Sequence, residues 1–407
     1  MSDALDRSPA SSARRWRIGL VTATSVRNGA GTDNWILNLV RSNPYPDVAF
    51  TVFESRWIDR ERMDPADYAE LRAKARFVVL PDHWRLRRRT LAALAWVRPK
   101  AARFFLRELL QRAIVRGTVG LRRAWRTAGS EVDVLYFIDN LSAEAVDPTI
   151  RVPLVGSSHN LSPTEGPASP TARRLVFRWL FRRFQAMHYL AEPLRLRTGF
   201  ERPGDFVIPP GIPAGRFRPA APVSTECRRF LYLAHLEAGK GIFDLLDAWE
   251  GANVPEATLT VAGTGSAEPS VRRRAAALPR VRVLGAVPSN DVPSVYAAHD
   301  VLVFPTRFDT FPVVVLEALA SGLRVRTSPV LRGIFDRFEA SGHLRYDAGG
   351  IAATRRAIEE AYRSPALTEA ERRELNARVE AEYAWNVVAP RMIDALRRLV
   401  RTDSAPP

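Results

Sequence analysis

Residues 301–322 read VLVFPTRFDTFPVVVLEALASG, and this stretch decides the fold class. Its first four residues, Val301–Phe304, are apolar and predict a buried strand. Residues 312–321 predict a helix, because proline suits the first helical turn and glycine, at Gly322, suits the position after the last one. A buried strand that leads through a short loop into an apolar helix is typical of a parallel α/β sheet.

The start of this predicted helix carries groups suited to an anion. The amides of Phe311, Val313 and Val314 would point at a group bound before the helix. Asp309 precedes the helix, and Glu317 lies in the middle of it. A buried carboxylate needs hydrogen-bond donors, and the vicinal hydroxyls of a ribose are suitable ones. The alternatives are a turn or cap residue at Asp309 and a structural ion pair at Glu317.

The same alternation of strands and helices continues on both sides of this stretch. Further strands are predicted at residues 17–22, 48–53, 77–80, 134–138, 152–157, 187–190, 230–234, 258–262 and 281–284. A cluster of prolines and a glycine at 209–213 separates two halves of about 200 residues each. Two parallel sheets that face each other would bind a ligand in the cleft between them.

We therefore predict three segments along the chain. An N-terminal Rossmann-like domain would span residues 1–212, and a second such domain would span residues 213–385. Residues 386–407 would form a C-terminal helix and tail that pack back on the N-terminal domain.

Three further positions follow predicted strands and would face the ligand. Lys240 precedes a helix, where the helix dipole disfavours a cation unless an anion lies between them, and a diphosphate would meet this need. The alternative of a solvated lysine is weakened because the chain has only three lysines among 60 basic residues. His159 follows a strand and is either a ligand contact or an ordinary loop histidine. The glycines of residues 28–31 form either a ligand-closing loop or a tight turn.

Composition excludes several classes of protein. The 407 residues are 46% apolar and 26% charged, which is typical of a globular chain and excludes a disordered or collagen-like one. No apolar run approaches the length of a membrane span, and residues 1–15 lack the apolar core of a signal peptide. The single cysteine, Cys227, favours a reducing compartment. We therefore expect a cytoplasmic protein.

The net charge of +16 is concentrated in residues 84–126. This segment holds 13 Arg and Lys residues and one acid, Glu108. Such a surface would bind an anionic membrane or an anionic acceptor. Apolar side chains on one predicted helical face are those of Ala102, Phe105, Leu106, Leu109 and Ala113, and the predicted membrane anchors are Trp84, Trp96, Phe104, Phe105 and Trp125. The alternative is that these aromatic residues belong to the core and the arginines form a solvated face.

On these residues the chain resembles the nucleotide-sugar glycosyltransferases of family 4, which have the GT-B fold. The family carries a carboxylate, seven residues and then a glutamate on a loop–helix unit. Asp309 and Glu317 match this spacing, with Asp in place of the more usual Glu. Residues 206–212 (FVIPPGI) and 259–265 (LTVAGTG) are similar to two further segments of the family. The resemblance is strongest over residues 200–325.

The resemblance implies two Rossmann-like domains facing a central cleft, the acceptor bound by residues 1–212 and the nucleotide sugar by residues 213–385. It also implies a retaining transferase that acts on hexose-type donors. The sugar would pass from a nucleoside-diphosphate sugar to a lipid-linked or glycan acceptor in polysaccharide biosynthesis, with no cofactor and no metal. Lys240, assisted by His235, would hold the diphosphate, and Glu317 the ribose. Asp309 and His159 would lie near the transferred sugar. The remaining donor contacts that it implies are Gly29, Gly31, Gly263, Gly265, Thr310, Phe311, Pro312 and Val313.

Three alternatives to this function stay open. The alternatives are a catalytically inactive GT-B partner subunit, a basic polyanion-binding protein, and a sugar-nucleotide epimerase of the same fold. A specific nucleic-acid binder is disfavoured, since no nucleic-acid motif is present. Two departures from the family stand out. His235 replaces a common arginine, and the family's Gly-Gly-x-x-Glu loop is not recognisable in residues 328–335.

Overall fold

The computed structural model describes residues 15–28, 31–56, 58, 61, 63–81, 100–118, 120–159, 169–220 and 225–403. These residues form two compact units. One is built mainly from residues up to 156, and the other mainly from residues 157–395. Among the described residues, the strands form two sheets, one of seven strands and one of six. The helices are packed between and beside these strands along the chain, as a parallel α/β architecture requires.

The first sheet has the strand order β3-β2-β1-β4-β5-β6-β7. Its strands are β1 (Trp16–Val21), β2 (Val48–Ser55), β3 (Ala75–Leu80), β4 (Val134–Phe137), β5 (Leu154–Ser157), β6 (Ala186–Tyr189) and β7 (Phe206–Val207). The strands run parallel, with Ile18 beside Phe50 of β2 and Val134 of β4. Strand β4 is buried along its whole length, as an apolar strand covered on both faces should be.

The second sheet has the strand order β10-β9-β8-β11-β12-β13 and is also parallel. Its strands are β8 (Arg229–Leu233), β9 (Thr258–Ala262), β10 (Val281–Gly285), β11 (Val301–Phe304), β12 (Arg324–Thr327) and β13 (Leu344–Arg345). The order reverses between β8 and β11, so the loops after these two strands start from neighbouring positions at one edge of the sheet.

The helices before residue 213 are α1 (Gly31–Arg41), α2 (Pro65–Lys74), α3 (Lys100–Gly117), α4 (Leu121–Ala128), α5 (Pro170–Leu180) and α6 (Glu192–Thr198). The later helices are α7 (Ile242–Glu250), α8 (Glu268–Ala276), α9 (Val292–Ala297), α10 (Val313–Ala320), α11 (Asp336–Ala340), α12 (Ile351–Arg363), α13 (Glu369–Tyr383) and α14 (Trp385–Asp403). None of the helices among the described residues is long and apolar enough to cross a membrane.

The predicted fold class is confirmed. Every strand predicted from the sequence is present, with its ends displaced by at most two residues. Three strands were not predicted: β7, β12 and β13. Strand β12 reads Arg-Val-Arg-Thr and is mostly buried. Its two arginines break the apolar pattern by which a buried strand is predicted. The buried Arg326 is paired there with Asp347, so the charge is compensated inside the fold.

One predicted membrane anchor is wrong. Trp125 is fully buried, and its ring lies 5.0 Å from that of Phe53 and 5.9 Å from that of Phe137. Its segment does form a helix, α4, but the indole belongs to the core. Phe105 is exposed, as predicted. Trp84, Trp96 and the side chain of Phe104 lie outside the described residues.

Candidate functional site

The loops that follow β8 and β11 are joined by close backbone contacts. Gly241 adopts a φ of +76°, and a Cβ there would lie 1.9 Å from the carbonyl oxygen of Pro305. The Arg307 amide donates to the Gly239 carbonyl over 3.0 Å. The Thr306 hydroxyl donates to the Phe308 carbonyl over 2.8 Å. Only glycine fits at position 241, so this residue lets the two loops meet.

A bidentate ion pair fixes the same loop to helix α7. The Arg307 guanidinium contacts the carboxylate of Asp244 at 3.0 and 2.7 Å. Asp244 is almost buried, whereas Arg307 is exposed. The hydrogen bond to Asp244, and then the negative charge of that carboxylate, raise the pKa of Arg307 further. Because its charge is already matched, Arg307 anchors the loop and is not an open cation.

Lys240 and Asp309, one from each of the two loops that follow β8 and β11, form an ion pair. The Lys240 Nζ lies 2.8 Å from Asp309 Oδ2 and 3.4 Å from the Phe308 carbonyl oxygen. Both side chains are mostly enclosed but retain some contact with solvent. The sequence predicts an anion next to Lys240, and the structure supplies one from the chain itself. Asp309 does not cap α10, since the N-cap residue of that helix is Pro312.

The N-terminus of α10 has no side-chain cap. The Val315 amide donates to the Pro312 carbonyl over 3.0 Å. Within the described part of the chain, the amides of Phe311, Val313 and Val314 have no hydrogen-bond acceptor. Together with the partial positive charge of a helix start, these amides can receive an anion. Thr310 is partly exposed in the loop just before them.

Glu317 is held by a tyrosine and not by an ion pair. The Tyr296 hydroxyl, from α9, donates to Glu317 Oε2 over 2.9 Å and lies 3.3 Å from the Val314 carbonyl oxygen. Burial raises the pKa of Glu317, and the Tyr296 hydrogen bond and the charge of Arg216 oppose that rise. Burial, and then the neighbouring Glu317 charge, raise the pKa of Tyr296 well above its usual value, so the phenol stays a donor. Among the described residues, no group hydrogen-bonds to Glu317 Oε1.

The predicted glycines of the second sheet serve a packing role in the structure. Gly263 has a φ of +127°, and a Cβ there would lie 1.9 Å from the Ala234 carbonyl oxygen. A Cβ at Gly265 would lie 2.3 Å from the Leu236 carbonyl oxygen. These glycines let the loop after β9 pack on the loop that carries His235. The His235 side chain is exposed, with Glu237 Oε1 3.9 Å from its Nε2, and donor contact by any of the three stays a prediction.

His159 lies directly after β5, next to a second histidine. The ring centroids of His159 and His188 are 5.9 Å apart. His188 hydrogen-bonds through Nε2 to the Ile208 carbonyl oxygen, 2.7 Å away. Burial, and then the nearby His188, lower the pKa of His159 to about 3. Burial lowers the pKa of His188 to about 4, so both imidazoles are neutral near pH 7.

The glycine loop of the first sheet is only partly described. Gly31 is the first residue of α1, and within the described part of the chain a Cβ there would meet no neighbouring atom within 4 Å. Packing therefore does not require a glycine at position 31. Gly29 lies outside the described residues. The predicted donor contact of this loop stays a prediction.

Tyr296, Arg307 and Asp244 were missed by sequence reasoning. Tyr296 lies 21 positions before Glu317 on a different helix, so no short-range spacing links the two residues. The sequence signal for Arg307 was its place in the loop, three residues after the buried strand β11. Within the part of the chain that the structure describes, no group of three or more His, Cys, Asp or Glu side chains is placed to hold a metal ion.

Solved structures define the class of fold. HepE of Anabaena, solved in complex with UDP and glucose, is 16% identical to this chain. The match has a TM-score of 0.64 and covers 94% of this chain and 100% of that one. Sucrose-phosphate synthase from Thermosynechococcus elongatus matches with a TM-score of 0.68 at 18% identity, over 95% of this chain and 100% of that one. The fold is that of the GT-B glycosyltransferases.

The sequence comparisons then identify the domain that carries the site. Residues 227–363 match the family model described as glycosyl transferases group 1. The match includes Lys240, Asp309 and Glu317. The predicted resemblance to glycosyltransferases is therefore confirmed for these residues, and the assignment to family 4 stays a prediction.

Curated relatives agree with this assignment. Glycogen synthase of Mycobacterium tuberculosis is 28% identical over 194 residues, which are 45% of this chain and 46% of that protein. The putative teichuronic acid biosynthesis glycosyltransferase TuaC of Bacillus subtilis is 30% identical over 168 residues, 39% of this chain and 40% of that protein. The chain thus spans about half the length of the curated relatives that it matches.

Proposed function

We propose that the protein is a retaining, family 4 glycosyltransferase that moves a hexose-type sugar from a nucleoside-diphosphate sugar to a lipid-linked or glycan acceptor. One observation carries the proposal. Residues 309–317 present a carboxylate paired with Lys240, helix amides with no acceptor among the described residues, and a glutamate held by Tyr296. This is the order in which the sugar, the diphosphate and the ribose of such a donor would meet them. Solved structures of the same fold include HepE with UDP-glucose, which supports a nucleotide-sugar donor.

Each part of the donor has a matching group in this arrangement. Lys240 and the α10 amides would stabilise the negative charge that develops on the departing diphosphate, a contribution that is often the largest in catalysis. The open Oε1 of Glu317 would accept from a ribose hydroxyl, with Tyr296 fixing the other oxygen. Asp309 would keep its contact with Lys240 and accept from a sugar hydroxyl. The neutral His159 would exchange hydrogen bonds with the transferred sugar without adding charge.

Titration calorimetry of UDP, GDP, ADP and dTDP into the purified protein tests the donor site. We expect saturable binding of at least one diphosphate. Lys240→Ala should weaken it by about tenfold or more, since a charge-assisted hydrogen bond contributes about 1.5–3 kcal/mol. Lys74→Ala is the matched control, because Lys74 is an exposed lysine paired with Glu70 on α2. A folded protein that binds none of the four diphosphates would overturn the proposal.

The proposal includes transfer without a bound metal, because Lys240, His235 and the helix amides would supply the positive charge. We expect the transfer rate to be the same with a chelator as with added Mg²⁺. A rate that falls on chelation and returns with the metal would contradict this part. Saturable donor binding with no turnover on any acceptor would instead indicate the inactive partner subunit, and donor conversion without acceptor would indicate the epimerase.

We also propose that the protein works as a peripheral protein at the inner face of a membrane, where a lipid-linked acceptor is exposed. The support is the charge of residues 84–126, with 13 basic residues and one acid. Anionic lipids attract such a segment, and salt weakens the attraction.

A further inference from the structure

Helix α3 presents its apolar face to solvent. Phe105 and Leu106 are each 39% exposed, Leu109 is 55% exposed and Leu110 is 38% exposed. Ala113 is exposed on the same face. The helical spacing therefore predicts the residues that share the face, but the face is turned away from the sheet.

The opposite face of α3 is polar and buried. Glu108, Gln111 and Arg112 are all buried there. Arg112 pairs with the buried Glu144, and the Arg116 Nη2 lies 2.5 Å from Glu144 Oε2. Turning the helix around would leave the Glu144 carboxylate buried without a cation, which is strongly unfavourable. These ion pairs fix the outward direction of the apolar face.

Three arginines that follow this face along the chain are called its rim. Arg116, which pairs with Glu144, is nearly half-exposed at the C-terminal end of α3, and Arg122 and Arg123 are exposed on the next helix, α4. Glu108 is the only acid between residues 84 and 126, and it is buried beside Arg107. Across residues 105–127, no described carboxylate therefore reaches the surface.

We propose that the α3 face, defined as Phe105, Leu106, Leu109 and Leu110 with its rim of arginines, docks into the interfacial region of an anionic lipid bilayer. This rests on the proposed function in that it specifies the surface by which the transferase reaches its membrane. A second copy of the chain is a poor occupant, because two such faces would bring arginine against arginine. An apolar stripe on one helix, with long cationic side chains next to it in the sequence, is the pattern of helices that lie in the membrane interface.

Flotation with lipid vesicles tests the proposal. The full chain should float with vesicles of phosphatidylcholine containing about 30 mol% phosphatidylglycerol, and far less with phosphatidylcholine alone. Leu109→Asp combined with Leu110→Asp should lower the bound fraction by about tenfold or more. The matched control is Leu175→Asp with Leu196→Asp, since both leucines are 62% exposed on other helices, α5 and α6. This control should float like the wild type.

A second pair of variants isolates the charge. Arg122→Gln with Arg123→Gln should weaken flotation at low salt by about fivefold or more, since each arginine near an anionic surface adds to the attraction. Arg273→Gln with Arg282→Gln removes two exposed arginines elsewhere and should have no effect. Thermal unfolding should show that all four double variants remain folded.

Several outcomes would overturn the proposal. Equal flotation of the wild type and the Leu109/Leu110 variant would do so, as would equal binding to neutral vesicles. A dimer in solution that the same variant converts to a monomer would assign the face to a second copy. The donor titration separates this result from the proposed function. A protein that floats but binds no nucleoside diphosphate refutes the transferase, and one that binds the diphosphate but does not float refutes the docking face.

Discussion

Helices α10 and α3 both break the rule that a surface helix turns its apolar side toward the core, but they break it in opposite ways. Helix α10 is apolar nearly all round and carries one carboxylate, Glu317, in its middle. Helix α3 buries Glu108 and Arg112 and exposes Leu109. A helix normally gains its stability by burying its apolar side, so each exception needs a compensating interaction.

The difference between the two helices lies in where that compensation comes from. One oxygen of Glu317 is satisfied by Tyr296, and the other remains open, which suits a small hydroxyl-bearing ligand. Arg112 and Arg116 of α3 pair with Glu144 within the protein, but the apolar face of this helix contacts solvent from Phe105 to Leu110. A single carboxylate on an apolar helix therefore indicates a ligand site. An apolar helix face that contacts solvent indicates a docking surface.

The largest effect is expected where the frame of the α10 site depends on one glycine. Gly241→Ala should destabilise the protein by about 3 kcal/mol, because the left-handed backbone and the contact with the Pro305 carbonyl both resist a side chain. Gly239→Ala is the matched control, since a Cβ there meets nothing within 4 Å. Urea unfolding measures the two values, and equal stabilities of the two variants would refute this frame.

Asp309→Asn should separate binding from turnover. The transfer rate should fall by about a hundredfold, a typical loss when one electrostatic group is removed from a reacting centre. The affinity for the free diphosphate should rise by up to about fivefold, because Lys240 no longer has a competing anion in a partly exposed pair. Steady-state kinetics and calorimetry on the same sample measure both. Unchanged turnover of the Asp309→Asn variant would show that Asp309 takes no part in the reaction.

Tyr296→Phe tests the hydrogen bond that holds Glu317 of α10. Loss of the hydroxyl leaves a carboxylate oxygen of the half-buried Glu317 without its donor, which should cost about 1–3 kcal/mol of stability. Tyr232→Phe is the comparison, since that buried hydroxyl donates only to a backbone carbonyl, that of Lys240, over 3.1 Å. A Tyr296→Phe protein as stable as the wild type would show that Glu317 finds another donor.

The pH dependence of stability gives a related test. The pKa of Glu317 is raised in the folded state, so the folded protein holds this proton more tightly than the unfolded chain. Its contribution to stability is fully present below the ordinary carboxyl pKa and is lost as the pH rises through the folded value. Glu317→Gln should therefore become more stable relative to the wild type as the pH rises. A difference that does not change with pH would contradict the raised pKa.

The smallest effect concerns the two buried histidines. The pKa of His159 is lowered to about 3, so its contribution to stability is present above the unfolded value of about 6.5 and is lost as the pH falls toward 3. Between pH 6.5 and 4.5, the wild type should lose stability relative to His159→Gln. Unfolding midpoints measured at both pH values would show this, and parallel curves for the two proteins would refute it.

Several features of the two helices could be predicted from the sequence. The others could not, for physical reasons. Local patterns predicted β11, α10 and the residues that share one face of α3. They did not reveal the direction of that face, because periodicity does not say which side of a helix meets the core. The pairing of Lys240 with Asp309, 69 positions apart, depends on the meeting of two loops. Trp125 was placed wrongly because its arginine neighbours indicated a surface, while its ring lies in the core.

We propose that the loops around α10 bind a nucleoside diphosphate through two separate contacts, Lys240 to the diphosphate and Glu317 to the ribose. The most direct measurement is calorimetric titration of Lys240→Ala and Glu317→Gln with the diphosphate that binds best and with inorganic pyrophosphate. Lys240→Ala should weaken both ligands, whereas Glu317→Gln should weaken the nucleotide by about fivefold and leave pyrophosphate unchanged, since only the nucleotide has a ribose. Equal weakening of both ligands by both variants, or of neither, would contradict the division of roles.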